Sequence, residues 1–171
     1  MYRITHVIIG FGFGLLLSQD PRLSLLYGFM GGLGGYIPDI DLRFKHRKTL
    51  HNIILSSIIS LFIYVVLLYL CIRYYSWMQL GVVNNIVIAF LSGWILHILT
   101  DSLTKRGVYI LYPLSNYRLR IPIFKSSSLV GNTLFIILSF IMYYFWIRSI
   151  GLENALDYLY YYLRMFLISA S

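Results

Sequence analysis

The chain has 171 residues, 59% of them hydrophobic and 12% charged, with a mean hydropathy of +0.76. That length suits one domain, and that composition excludes an ordinary water-soluble protein in favour of a membrane protein. A net charge of +8 would point to nucleic acid in a soluble protein, but here the basic residues flank apolar runs, so anionic lipid headgroups are the expected partner and nucleic acid is not.

Six apolar segments follow in chain order, at roughly 4–17, 23–37, 53–72, 82–103, 129–150 and, more weakly, 152–168. They predict an all-α, polytopic helical membrane protein of about five to six apolar helices, with residues 1–171 forming a single membrane-embedded domain. The first segment follows Arg3 in the manner of a signal peptide, but no small-residue cleavage pattern comes after it, so it is read as part of the working protein. Segments one and two are short and glycine-rich. Gln19-Asp20-Pro21-Arg22 forms the turn between them, giving a helical hairpin partly buried by longer helices. Gly10 and Gly14, Gly28 and Gly32, and Gly31 and Gly35 are each four apart, which puts small residues on one helix face and lets backbones touch. The third, fourth and fifth segments are long enough for a hydrocarbon core of about 30 Å. Cys71, the one cysteine, lies within the third and leaves no intrachain disulfide.

Residues 104–128 form an interfacial loop. Within it Tyr117-Arg118-Leu119-Arg120-Ile121 alternates polar and apolar, as a short strand would, between Pro113 and Pro122. Segment 152–168 is an interfacial or final membrane helix, with Tyr158, Tyr160, Tyr161 and Tyr162 in an aromatic belt.

Alternating crossings place Arg3, Arg43, Lys45, Arg47, Lys48, Lys105, Arg106, Arg118, Arg120 and Lys125 on one side, against Arg22, Arg73 and Arg148 on the other. The positive-inside rule makes the first side, with the N-terminus, cytoplasmic. Motif residues chosen without regard to topology gather there too. His6 starts the first segment; Asp39, Asp41, His46 and His51 lie between the second and third; His97 and Asp101 close the fourth.

These seven comprise all four histidines and three of the six acidic residues of the chain. Ionisable groups are costly in so apolar a setting, and imidazole with carboxylate is the ligand mixture of a zinc or manganese site. His97 and Asp101, at i and i+4, share a helix face and offer one ion two ligands. Pro38-Asp39-Ile40-Asp41 ends the glycine-rich second segment with two carboxylates. Singly, each motif has a plainer reading: a buried His–Asp hydrogen bond, a polar turn, a basic loop. Together they fit two divalent ions within residues 5–107, a common device for hydrolysing phosphate esters. Neither a phosphate-binding glycine loop nor a nucleophile elbow is present, so a metal-activated water is the candidate nucleophile. Asp39 or Asp41 would serve as base and Arg47 would steady the anionic substrate. Arg47, Arg118 and Arg120 are candidate phosphate grips.

At Thr5-His6, Pro38-Asp39-Ile40-Asp41, His46-Arg47 with His51, and the long stretch GWILHILTDSLTKRGVYILYPLSNYRLRIP from Gly93 to Pro122, the chain resembles the YdjM-like family of bacterial and archaeal inner-membrane proteins. That family is described as membrane-bound metal-dependent hydrolases. Its pattern of histidine, aspartate, threonine, glycine and proline falls here on His97, Asp101, Thr104, Gly107 and Pro113. The chain departs from it at Leu50, where the family has a threonine before the second histidine, and at Phe135, where an acidic residue is common after Gly131-Asn132. The resemblance implies a membrane-bound metal-dependent hydrolase; the basic-residue count and the placement of the motifs add the cytoplasmic membrane face and a phosphate ester of a lipid as the expected substrate. The competing readings are a divalent-cation transporter and a non-catalytic, metal-stabilised membrane scaffold.

Overall fold

The computed structural model describes residues 1–43, 50–74, 79–151, 156, 157, 160 and 164, with the backbone alone at 41–43. The helices are α1 (Arg3–Leu15), α2 (Pro21–Tyr36), a short 3-10 helix (Ile37–Arg43), α3 (Ile53–Tyr74), α4 (Leu80–Ser102) and α5 (Leu129–Ile150). The expected all-α architecture is present. Segment 152–168, with most of its tyrosines, lies almost wholly outside the described residues.

Three helices, α3, α4 and α5, are long and apolar enough to cross a membrane, fewer than the five to six apolar segments of the sequence. The physical reason is length. At 1.5 Å per residue, the 13 residues of α1 reach about 20 Å and the 16 of α2 about 24 Å, short of a 30 Å core. They pair as the expected hairpin, and Asp20 starts α2 by accepting hydrogen bonds from the Arg22 and Leu23 amides, with Pro21 in the first turn. α4 packs against α1, α2 and α3, while α5 closes on α1. Accordingly 44% of α4's most apolar stretch is buried, against 11% and 17% for α3 and α5, which turn most of their surface outward to lipid.

Glycine sets the spacing of the central three helices. A methyl at Gly10 would run into the Gly31 carbonyl, and one at Gly93 would run into the same carbonyl from α4. A methyl at Gly34 would strike the Phe90 carbonyl, and one at Gly35 the His6 carbonyl. Residues 31–35 are therefore a packed helix face and no flexible loop. Beside this contact Phe90, Trp94, Ile98 and Val108 form an apolar cluster joined by Leu50, Ile59 and Ile63.

The interfacial loop folds back over the end of α4. The Ile121 and Ile123 amides donate to the Ser102 and Leu103 carbonyls, and Lys105 N–H donates to Phe124 O. The strand expected at 117–121 is reduced to one antiparallel bridge, Val108 with Leu119, because the next amide in line is taken by α4. Gly107 turns the chain there at φ +62°, a conformation that favours glycine.

Gly93→Ala is expected to lower the thermal stability of the detergent-solubilised protein by the equivalent of about 1–3 kcal/mol, the cost of overpacking. Gly81→Ala, where an added methyl meets nothing within 4 Å, should leave it unchanged or slightly raised. Equal melting temperatures for the two variants would contradict the close helix contact.

Candidate metal centre

Five of the seven expected ligands meet in one buried cluster. His6 comes from the first turn of α1, Asp39 from the 3-10 helix, His51 from just ahead of α3, and His97 and Asp101 from the last turns of α4. All five are at most 1% exposed. The side chain of Asp41, together with His46 and Arg47, lies outside the described residues.

Hydrogen bonds orient the rings. His97 Nδ1 is 2.7 Å from the Gly35 carbonyl, which can only accept, so Nδ1 carries the proton and Nε2 the lone pair. The glycine contact between α2 and α4 is what brings that carbonyl within reach. Thr100 spends its one hydroxyl proton on the His97 carbonyl at 3.0 Å, so its oxygen accepts from His6 Nδ1, also at 3.0 Å. A neutral His6 therefore also has its lone pair on Nε2. The two rings stack with centroids 3.7 Å apart. Orienting each ring through its far nitrogen is how metal-ligating histidines are commonly held.

The lone pairs face other polar atoms, and His51 Nε2, where it carries the ring proton, donates to His97 Nε2. His97 Nε2 lies 3.2 Å from His51 Nε2, and the pair stands 3.8 and 4.0 Å from Asp39 Oδ1 and 3.8 and 3.7 Å from Asp101 Oδ2. His6 Nε2 is 3.4 Å from Asp101 Oδ1, which also receives the Met1 amino group at 2.5 Å. Asp39 Oδ2 is buried with no hydrogen-bond partner among the described residues. Burial pushes the Asp39 carboxyl above the usual carboxylate range and Asp101 adds to this, while His6, the Met1 amino group and Arg3 pull it back. That is the direction for a carboxylate that has lost water without gaining a full counter-charge.

These atoms fit a divalent ion. Adjacent ligands of a tetrahedral zinc with bonds of about 2.0–2.1 Å stand about 3.3–3.4 Å apart; His51 and His97 stand 3.2 Å apart, and their distances to the two carboxylates, 3.7–4.0 Å, are somewhat longer. His6, Asp39 and His97 form one group with ligand atoms within 4.8 Å of one another, and His51, His97 and Asp101 another. The groups share the single Nε2 lone pair of His97, so they are not two independent sites.

Residues 1–170 match the profile of the YdjM inner membrane protein family. The chain belongs to that family. No curated protein and no solved structure matches the chain. Against the YdjM pattern, the departure at Leu50 is a substitution into the apolar cluster, where its side chain packs and its carbonyl accepts from the Trp94 indole at 2.8 Å. Phe135 is half-buried on α5. Arg118 and Arg120 are exposed on the interfacial loop, Arg118 with its guanidinium over the Tyr109 ring.

Three supports were not singled out as site residues. Thr100 and the Gly35 carbonyl set tautomers. Asn132 ties α5 to the start of α1 by accepting from Thr5 Oγ1 and the Tyr2 amide, both at 2.9 Å. Gly35 and Asn132 stand out in the sequence only through the glycine spacing and the Gly131-Asn132 pair, and Thr100 carries no signal of its own.

The protein is expected to purify with a transition metal that His97→Ala and Asp101→Ala largely remove. Thr100→Val, which keeps the shape and deletes the hydroxyl, should weaken metal binding about 10- to 100-fold with the fold retained. Elemental analysis and competition with a chromogenic chelator measure both, and wild-type affinity in Thr100→Val would contradict the tautomer assignment.

Proposed function

We propose that this chain is a membrane-bound metal-dependent hydrolase acting on a phosphate ester of a lipid at the cytoplasmic membrane face. One observation carries the reading: imidazole lone pairs and carboxylate oxygens converge with burial and spacing that call for a cation. His6, Asp39, His51, His97 and Asp101 would hold zinc or manganese. A second ion would draw on Asp41 and His46. When bound, such an ion lowers the pKa of water and polarises a phosphoryl oxygen.

The chain's own residues then divide the remaining work. Asp39 turns Oδ1 towards His51 and His97 and keeps Oδ2 spare, which suits it to take a proton from water; Asp41 is the alternative base. Arg47, with Arg118 and Arg120 on the loop, would hold the substrate phosphate, as planar guanidinium groups do well. The apolar surround keeps bulk water from the carboxylates and strengthens each charge interaction.

Wild-type protein in mixed micelles with zinc or manganese should release phosphate or headgroup from a phosphorylated lipid. Asp101→Ala should abolish turnover, and Arg47→Ala should mainly raise KM. Cleavage of single-stranded nucleic acid without lipid turnover would overturn the reading, and bound metal with no turnover of either would favour the scaffold.

The sidedness follows from the distribution of basic residues. In a Cys71→Ser background, single cysteines at 45 and 118 should both react only with reagent on the cytoplasmic side. Labelling from opposite sides would contradict it.

A further inference from the structure

Beside the metal centre a cleft of about 460 Å³ opens, lined by Met1, Tyr2, Lys105, Arg106, Lys125, Ser126 and Ser127. The volume lies within the range of small-molecule sites. Three elements bring its walls together: the start of α1, the turn after α4, and the segment leading into α5. Lys105 and Lys125 are held side by side because Lys105 N–H donates to Phe124 O at 2.8 Å. The cleft is one residue from the metal centre, since Met1 both lines it and contacts Asp101.

Its chemistry has one sign. Among the described residues, three cationic side chains line it and no carboxylate does. All three are exposed, and among the described residues none of them forms an ion pair. Ser126 Oγ has no hydrogen-bond partner among the described residues. The N-termini of α1 and α5 lie at the cleft, since Tyr2 caps the one and Ser127 precedes the Ser128 cap of the other, and each adds positive potential. Charges present for topology alone would need neither a concavity nor an orphan hydroxyl.

We propose that this cleft binds the phosphate monoester group of an anionic ligand, with Lys105, Arg106 and Lys125 as counter-charges and Ser126 as a neutral donor. The ligand is the headgroup of a phosphorylated lipid, lying at the membrane face where α4 ends and α5 begins. Only the identity of the ligand as substrate rests on the hydrolase reading; binding does not. The residues differ from Arg47, Arg118 and Arg120, and of the two that are described, Arg118 and Arg120, neither lines the cleft.

The test is calorimetric titration of the full-length protein in neutral detergent, with and without chelator. Dihexanoyl phosphatidic acid, dihexanoyl phosphatidylcholine and inorganic phosphate are the probes. Phosphatidic acid should bind with or without chelator, and phosphate should compete with it. Lys125→Ala should weaken binding about tenfold and the Lys105→Ala/Arg106→Ala/Lys125→Ala variant further, with metal content unchanged. Arg148→Ala, which removes the same charge from the far end of α5, should bind like wild type. Inorganic phosphate binding as tightly as the lipid, and lost in the same variants, also supports the site and identifies the source as a soluble ester. Phosphatidylcholine binding as well as phosphatidic acid would overturn the proposal, as would binding undiminished in the triple variant or lost equally in Arg148→Ala. Binding that behaves as expected while no lipid is hydrolysed would leave the cleft standing and remove the hydrolase reading.

Discussion

The contact on which the rest depends is the approach of three helix backbones at Gly10, Gly31 and Gly93. In lipid no hydrophobic force drives helices together, so association rests on close packing and polar contacts between helices. Glycine allows both. It permits α1, α2 and α4 to meet without side chains between them, and it exposes the Gly35 carbonyl to His97. The same approach puts His6 of α1 against His97 of α4, ring on ring. Helix packing and ligand orientation are thus one constraint. A larger residue at the contact would separate the helices and, with them, the histidines.

The cluster also has to solve an electrostatic problem. Three imidazoles and two carboxylates are withdrawn from water at one point. Burying an ionised carboxylate without a partner costs several kcal/mol, and two such groups side by side repel. The hydrogen bonds on the far side of His6 and His97 fix both rings with lone pairs inward, so these residues offset little of the negative charge while neutral. The Met1 amino group meets one oxygen of Asp101, while Asp39 Oδ1 faces the inward nitrogens of His51 and His97 and Oδ2 has no hydrogen-bond partner among the described residues. A divalent cation relieves all of these contacts at once. A metal-stabilised fold and a metal-dependent enzyme share this logic, and only turnover separates them.

Much of this was legible in the sequence because apolar length, glycine spacing and His/Asp spacing are local patterns. The i, i+4 relation of His97 and Asp101 is guaranteed by any helix, and Pro38 after the glycine run marks the end of α2 in advance. The meeting of His6 with His97 followed less directly, from counting crossings. What stayed hidden depends on contacts between distant segments. Thr100 reads as one more residue of a membrane helix until its hydroxyl is seen between His6 and the His97 carbonyl. Leu50 reads as a lost ligand support, yet it is a partly buried residue packed against the apolar cluster of Trp94. The alternation at 117–121 suggested a strand, but alternation cannot reveal that the end of α4 claims the amide of Ile121.

The position of the cluster along α4 bears on what it can do. His97 is five residues from the end of a 23-residue helix, about 8 Å from that end and about 9 Å from its middle. A carrier that alternates access holds its ion near the bilayer midplane, between half-helices. Here α4 runs unbroken through the site, and the ligands crowd one end beneath a folded loop. A site so placed lies nearer one end of α4 than its middle, although its ligands are buried. That favours chemistry on something already resident in the headgroup layer over passage of an ion through the protein.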